Sequence, residues 1–435
     1  MSAQKKKIIN VITLGCSKNL VDSEKIMGQL SPQDYEIRYD SEDANADIVL
    51  INTCGFINDA KQESIDTILE ALEARKKGLV SKVMVTGCLS ERYKNDLAKE
   101  MPEVDAYFGV HDMEGLLNNL GTKYDYREQE KRLVTTPSHY AYLKIAEGCN
   151  RTCSFCAIPM IRGPYVSQPI ESLVKEARML VASGAKELLL IAQDITYYGL
   201  DIYKKPALAS LLEKLLEIEG LEWIRLHYAY PTGFSMDVID LMARDKRICR
   251  YLDIPFQHIN DGILKSMRRG VDAQETLRLI DAVRSKVPDI ALRTSLIVGY
   301  PGEGVKEFNE LMRFVEKVKF ERLGVFTYSP EEDTRAFKLG DTVSDKTKRN
   351  RADRLMELQS KISLDINLVK VGREFKVLVD RKEDDLWIGR TEYDSPEVDN
   401  EVIIQKVPAR LNLKGKFVNV KVYAASEFDL EARLC

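Results

Sequence analysis

Short apolar runs alternate with longer amphipathic stretches through the first hundred residues of the chain. Runs of strand length at 8–14, 47–52 and 82–86 enclose stretches of helical period at 22–30 and 60–76. That βαβαβ order predicts a parallel sheet with helices on both faces, whose ligands gather beyond the carboxyl ends of the strands. Residues 121–138 turn polar and charged and read as a linker. Alternation then resumes, with apolar runs at 140–146, 188–192, 223–226, 252–254, 292–298 and 323–326. About five or six βα units fit a partial barrel. Residues 347–368 read as one charged helix with an apolar stripe of Leu355, Leu358, Ile362 and Ile366. Beyond 371 the period drops to two, at Phe375, Val377 and Val379, then 402–404 and 417–422, which predicts a small all-β barrel.

The expected fold is therefore α/β: an N-terminal parallel α/β domain over 1–120, a linker over 121–138, a partial (β/α) barrel with its exit helix over 139–368, and a β-barrel over 371–435. A length of 435 residues is too great for one ordinary domain. Hydrophobic residues at 44% and charged residues at 30% exclude a disordered chain. The basic start, Met1 to Lys7, runs into an apolar stretch too short and broken for a secretory signal, and no apolar run approaches the roughly 20 residues that span a bilayer. A cytoplasmic protein without membrane contact is expected. The net charge of -4 gives no support for a general polyanion-binding surface.

Eight cysteines carry the chemistry. In a reducing compartment such groupings favour metal over disulfide. Cys149, Cys153 and Cys156 follow a strand and the Gly148 turn, so three thiols share one loop at C-x3-C-x2-C spacing. Three thiolates on a four-iron cluster leave one iron without a protein ligand, since such clusters otherwise take four cysteines. The alternative is zinc, which wants four closed ligands; His139 is the one near candidate for the fourth. Cys16, Cys54 and Cys88 each close one of the first three strands, with Gly15, Gly55 and Gly87 beside them. Adjacent strand ends place all three on one rim, where a second three-cysteine cluster fits; three structural core cysteines are the competing reading. Cys249 and Cys435 have no partners in sequence and read as structural.

The loop, with Phe155 before its last thiol, resembles the radical S-adenosylmethionine (SAM) superfamily. Two three-cysteine groups, one on a βαβ domain and one on a barrel, followed by a segment similar to a TRAM domain, resemble the radical SAM methylthiotransferases along nearly the whole chain. Lys144 to Cys149, Ile158-Pro159 and Arg162-Gly163 extend the likeness. The resemblance implies two 4Fe-4S clusters and SAM as cofactors. SAM bound at the open iron of the Cys149, Cys153, Cys156 cluster would be both radical source and methyl donor, and the Cys16, Cys54, Cys88 cluster would carry the sulfur to be inserted. It implies no catalytic residue beyond the cluster ligands. An electron donor such as flavodoxin or ferredoxin and a sulfur donor are the implied partners.

Members of this family act on tRNA adenosine at C2 or on the β-carbon of an aspartate in ribosomal protein uS12, free or in the small ribosomal subunit. Three segments resemble the second branch: Gly15 to Glu24, Gln257 to Gly270, and Ser395 to Asp399. Charge argues the same way, because gripping RNA needs Lys and Arg. From Val371 onward there are 11 Lys and Arg against 13 Asp and Glu. The run Glu392, Asp394, Glu397, Asp399 and Glu401 reads as an acidic face suited to a Lys-rich protein; an ordinary solvated face is the alternative. A two-cluster electron-transfer protein is the rival from another class, and it would saturate each cluster with four cysteines.

Asn400 and Ser17 stand where the family more often has Gly and Pro. The Gly-Gly-Glu common in radical SAM proteins is absent, and Leu190 to Asp194 occupies the corresponding strand end. Gln193 and Asp194 are expected to contact SAM, or else to cap the following turn, and Arg293 with Thr294 to contact it from a later strand. Arg162 or Arg268 is the expected cation for a substrate carboxylate.

Overall fold

The structure, a computed structural model, describes residues 6–43 and 45–435; most of the basic N-terminal stretch lies outside them. The chain divides into two compact units. The first takes in the chain up to Thr135 together with Ala146–Arg151 and Cys156–Val166, and the second takes in the rest.

In the first unit, β1 (Lys7–Thr13), β2 (Tyr35–Tyr39), β3 (Ala46–Thr53), β4 (Val80–Gly87) and β5 (Ala106–Tyr107) form a parallel sheet in the order β2-β1-β3-β4-β5. Five strands stand where the apolar pattern predicts three. The two extra strands are the edges: β2 alternates Tyr, Glu, Ile, Arg, Tyr and is only half covered, and β5 is two residues long. Helices α1 (Ser17–Gln29), α2 (Asn58–Lys76) and α3 (Cys88–Glu100) lie between strands, and α4 (Met113–Asn119) follows β5. They cover both faces, where Ile51, Val83 and Val85 point to one core and Val11, Leu50 and Met84 to the other. Opposite faces alternate along each strand, as period two requires.

The segment 121–138 is not free chain. Glu24 of α1 accepts hydrogen bonds from the backbone N–H of Thr135 at 2.7 Å and from its hydroxyl at 3.0 Å. Gln29 accepts from Asp125 N at 3.0 Å.

In the second unit, β6 (Tyr140–Lys144) precedes the cysteine loop. The two-residue strands β7 (Ala146–Glu147) and β8 (Val166–Ser167) flank that loop in sequence with α5 (Ile158–Arg162) between them, and of these β7 and α5 belong to the first unit. β9 (Glu187–Ile191), β10 (Trp223–Leu226), β11 (Ile248–Asp253), β12 (Ala291–Val298) and β13 (Arg322–Thr327) then extend β6 into a six-stranded sheet in sequential order. Every pairing in it is parallel. Between the strands run α6 (Ile170–Ala182), α7 (Leu208–Leu216), α8 (Met236–Arg244), α9 (Asp261–Ser266), α10 (Ala273–Lys286) and α11 (Val305–Val318). This is the expected partial barrel. The exit helix is α12 (Asp345–Leu368), buried along Leu355, Gln359 and Ile362.

The last five strands close into a barrel in the order β14-β15-β16-β18-β17: β14 (Glu374–Glu383), β15 (Leu386–Arg390), β16 (Glu401–Ile404), β17 (Phe417–Ala425) and β18 (Asp429–Leu434). Val377, Val379, Val402, Ile404, Val420 and Leu430 fill it.

Here the acidic run departs from expectation. Asp394 is buried and paired with Arg322 of β13, and Asp399 pairs with Arg293 of β12 at 3.3 Å. The Glu392 carbonyl accepts from Arg225 of β10 at 2.7 Å, and Glu401 pairs with Arg381 at 2.6 Å. Of the five, Glu397 alone is exposed. The run is a docking seam between the small barrel and the central sheet, not an acidic face for a basic partner. No helix among the described residues is long and apolar enough to cross a membrane.

Candidate metal centres

The first cysteine group is placed by strand register. Thr13 of β1 pairs with Asn52 of β3, and Thr53 pairs with Gly87 of β4, so the three carboxyl ends lie side by side. Cys16 is the N-cap of α1, Cys54 follows β3 directly, and Cys88 opens α3. Gly15 lets the first turn close (φ 90°); a Cβ there would stand 2.7 Å from Cys54 Cβ and 2.9 Å from its Sγ. Gly87 does the same for Cys88 (φ 99°), where a Cβ would strike the Thr53 backbone at 2.5 Å.

The thiols feel one another. Burial pushes the Cys88 thiol up to about 12; Arg162 opposes this, and the charges of Cys16 and Cys54 add to it. Burial also raises Cys54, with a backbone hydrogen bond from Phe56 opposing and Cys16 adding to the rise. Two buried thiols, Cys54 and Cys88, with the exposed Cys16 beside them, suit a cationic centre, which stabilises the thiolates that burial disfavours. No three His, Cys, Asp or Glu side chains among the described residues are drawn together around a single ion. A four-iron cluster is wider than one ion and is held by thiolates standing further apart. The residues present fit that group.

Arg162 backs this site. It is buried, its Nη2 donates to Cys88 Sγ at 3.4 Å and also bonds Asn19 Oδ1, and its Nη1 lies 2.6 Å from Asp22 and 3.0 Å from Glu147. Burial disfavours its charge, but Asp22, Cys88 and Glu147 outweigh burial and hold it protonated. Asn19 in turn donates to Leu14 O at 2.8 Å and Thr53 O at 3.1 Å, tying the ends of β1 and β3 together. Within the Gly15 to Glu24 segment, Asn19 and Asp22 make these bonds. Arg162, one of two candidates for a substrate carboxylate, is thus already engaged by two carboxylates of the chain itself. Arg268, the other, is exposed in a left-handed turn (φ 57°).

The second group sits in the loop after β6 and β7. Cys149 Sγ accepts from Arg151 N at 3.4 Å. Ser154, next to Cys153, is pinned from three sides: its N–H donates to Met267 O at 3.0 Å, its carbonyl accepts from Ala336 N at 2.8 Å, and its hydroxyl meets Tyr300 at 2.9 Å. Phe155 packs against Ile263, Met267 and Tyr300. Cys153 Sγ lies 3.3 Å from Arg269 Nη1 and 3.5 Å from the Tyr230 hydroxyl. Arg269 is the residue that sequence reasoning missed; the signal was the Arg268-Arg269-Gly270 turn, which sends one arginine out and the next inward. His139 is buried with Nε2 at 2.8 Å from Asp380, so that nitrogen is engaged elsewhere in the fold. Cys249 is packed with Trp223 and Tyr251 in the core, while Cys435 is exposed.

Gln193 and Asp194 stand just past the end of β9. Asp194 is buried and caps a short turn by accepting from Thr196 N at 2.9 Å. Arg293 is the third residue of β12, near its start, and pairs with Asp253 at 3.1 Å besides Asp399. Thr294 donates to Ile254 O at 2.8 Å and accepts from Phe256 N at 3.1 Å. These bonds give Asp194, Arg293 and Thr294 parts in holding the strand ends.

Residues 8–109 match the Uncharacterized protein family UPF0004, 143–315 the Radical SAM superfamily, and 371–435 the TRAM domain. A protein of Flavobacterium johnsoniae named Ribosomal protein uS12 methylthiotransferase RimO is 57% identical over 98% of each chain. Proteins of the same name from Cytophaga hutchinsonii (53% identical, 98% of this chain and 97% of that one) and Phocaeicola vulgatus (49%, 99% and 100%) are similar along their whole lengths. Among solved structures, the radical S-adenosylmethionine methyltransferase TsrM from Kitasatospora setae, with cobalamin and a [4Fe-4S] cluster bound, is similar with a TM-score of 0.55. Its identity is 14%, over 94% of this chain and 84% of that one, a likeness of fold alone.

Proposed function

Because this chain belongs to the ribosomal protein uS12 methylthiotransferase family, a branch of the radical SAM enzymes, we propose that it adds a methylthio group to the β-carbon of an aspartate in uS12. The observation that carries this reading is the meeting of Cys16, Cys54 and Cys88 at the registered ends of three parallel strands, in a chain that also holds the Cys149, Cys153, Cys156 loop. The reading divides the chain at 1–120, 139–368 and 371–435.

When bound, two four-iron clusters and SAM supply the one-electron, sulfur and methyl chemistry that no side chain provides. The protein's own part is placement. Cys16, Cys54 and Cys88 hold one cluster, and Cys149, Cys153 and Cys156 the other. Arg162 and Asn19 fix Cys88 and lock the strand ends beneath it. Burial of Cys54 and Cys88 keeps water from the sulfurs. The three bonds to Ser154 hold the loop around Cys153. Gln193, past the end of β9, is the side chain we assign to SAM; Asp194 shapes the turn that carries it. An electron donor such as flavodoxin or ferredoxin and a sulfur donor complete the scheme. The tRNA adenosine alternative is not favoured by the relatives' names and becomes the control.

The test is anaerobic incubation of the reconstituted, reduced protein with SAM and either a uS12 loop peptide or tRNA, followed by mass spectrometry. A gain of about 46 Da on the peptide aspartate, H replaced by SCH3, supports the proposal. Modification of tRNA alone overturns it.

A further inference from the structure

Each cysteine group has one thiol that accepts a hydrogen bond from a buried arginine, and the two arginines keep different company. Arg162, beside Cys88, has Asp22 at 2.6 Å and Glu147 at 3.0 Å, so its charge is offset within the protein. Arg269, beside Cys153, is 4% exposed. Its other partners are neutral: Nη2 bonds the Pro255 carbonyl, and the guanidinium lies 4.2 Å from the centroid of the Tyr230 ring. The Tyr230 hydroxyl donates to the Arg269 carbonyl at 2.8 Å, which holds ring and arginine together. Among the described residues no carboxylate lies within ion-pairing distance of Arg269, and its Nε has no hydrogen-bond partner.

A buried guanidinium without a counter-ion is costly. A cluster bound through thiolates supplies negative charge next to it, and reduction by one electron adds more. Net charge and hydrogen bonds to sulfur are the levers by which a protein sets a cluster's potential.

We infer that Arg269 is a positioning residue that sets the reduction potential of the Cys149, Cys153, Cys156 cluster, favouring its one-electron reduction, while Arg162, already neutralised, has little leverage on the other cluster. One electron enters from a low-potential donor, and no bond forms or breaks in that step. The positive charge 3.3 Å from Cys153 Sγ stabilises the added electron. This rests on the cluster assignment proposed above.

The experiment is an anaerobic potentiometric titration followed by electron paramagnetic resonance, on the full chain with Cys16, Cys54 and Cys88 changed to alanine so that one cluster remains. Arg269→Gln is expected to move the midpoint to more negative potential. Arg269→Lys, which keeps the charge, should retain most of the parent value. Arg162→Gln, in the reciprocal background lacking Cys149, Cys153 and Cys156, should move its midpoint far less. An unmoved midpoint in Arg269→Gln overturns the inference, as does an equal shift in the Lys and Gln variants, which marks a packing role. Should Arg269→Gln not take up iron, Arg269→Met, which also removes the charge, takes its place and is expected to shift the midpoint the same way; no shift there overturns the inference. Failure of the parent to hold iron at this loop overturns the cluster assignment as well, whereas a loaded cluster with an unmoved midpoint overturns this inference alone.

Discussion

Arg322 Nε donates to Asp394 Oδ1 across 3.0 Å, with both side chains shut away from water. The pair fastens β13 to the small barrel. Asp394→Asn leaves a buried arginine uncompensated and is expected to cost about 3–5 kcal/mol. Replacing both partners by apolar residues, Arg322→Met with Asp394→Leu, should recover most of that loss. Urea unfolding followed by the fluorescence of Trp223 and Trp387, one in the sheet and one in the barrel, measures both.

Acid should loosen the same seam. Burial pushes the Asp394 and Asp380 carboxyls up, but Arg322 acting on the first and Arg390 on the second outweigh it and hold both below the ordinary range. Such groups contribute stability that is present above the unfolded pKa of about 3.9 and is lost as pH falls through the lower folded value. Asp399 and Glu392 run the other way: burial leaves both above the ordinary range despite Arg293 and Arg250, so their contributions fade as pH rises. Below about 4 the raised groups are protonated folded and unfolded alike, so the urea midpoint is expected to fall there as Asp394 and Asp380 lose their contributions, and Asp380→Asn should flatten that fall. A midpoint independent of pH in this window would contradict the account.

On the proposed assignment of three cysteines to each cluster, changing Cys16, Cys54 and Cys88 to alanine should remove about half of the bound iron and leave SAM cleavage intact. Iron analysis and chromatography of 5′-deoxyadenosine read the two separately. Loss of all iron would mean that the two sets do not assemble independently.

Gly15→Ala should act on the first cysteine group without touching a thiol. Its Cβ would press on Cys54 at 2.7 Å in a left-handed turn. A loss of about 1–3 kcal/mol together with reduced iron at that group is expected. Normal iron content would show that the turn tolerates a side chain.

Five of the six strands of the central sheet, β6 and β9 to β12, were legible because each is a largely buried apolar run between amphipathic helices, whereas the edge strand β13 is only partly covered and shows in the sequence as a short apolar run. That Cys16, Cys54 and Cys88 stand at adjacent strand ends was legible for a related reason: parallel strands in register bring their ends together, so position along the chain stands in for position in space. Tyr35–Tyr39 escaped notice because an edge strand covered on one side carries a weak apolar signal. The acidic run misled because its partners, Arg293 and Arg322, lie far upstream, and nothing in a stretch of Asp and Glu tells a solvated face from a buried seam. Arg268 and Arg269 are neighbours of the same type, and only the left-handed turn at Arg268 decides which of them meets Cys153.

Cys88 is packed by Ala157 and Ile161 as well as held by Arg162, and all three come from the stretch that rejoins the first unit after Cys156. During synthesis the N-terminal sheet therefore emerges with one side of its cysteine pocket missing, and it is completed only when a later piece of chain returns to it. Cys88 is thus presented early and enclosed late, and on the proposed assignment the order of translation leaves an interval for loading iron before this side of the pocket closes.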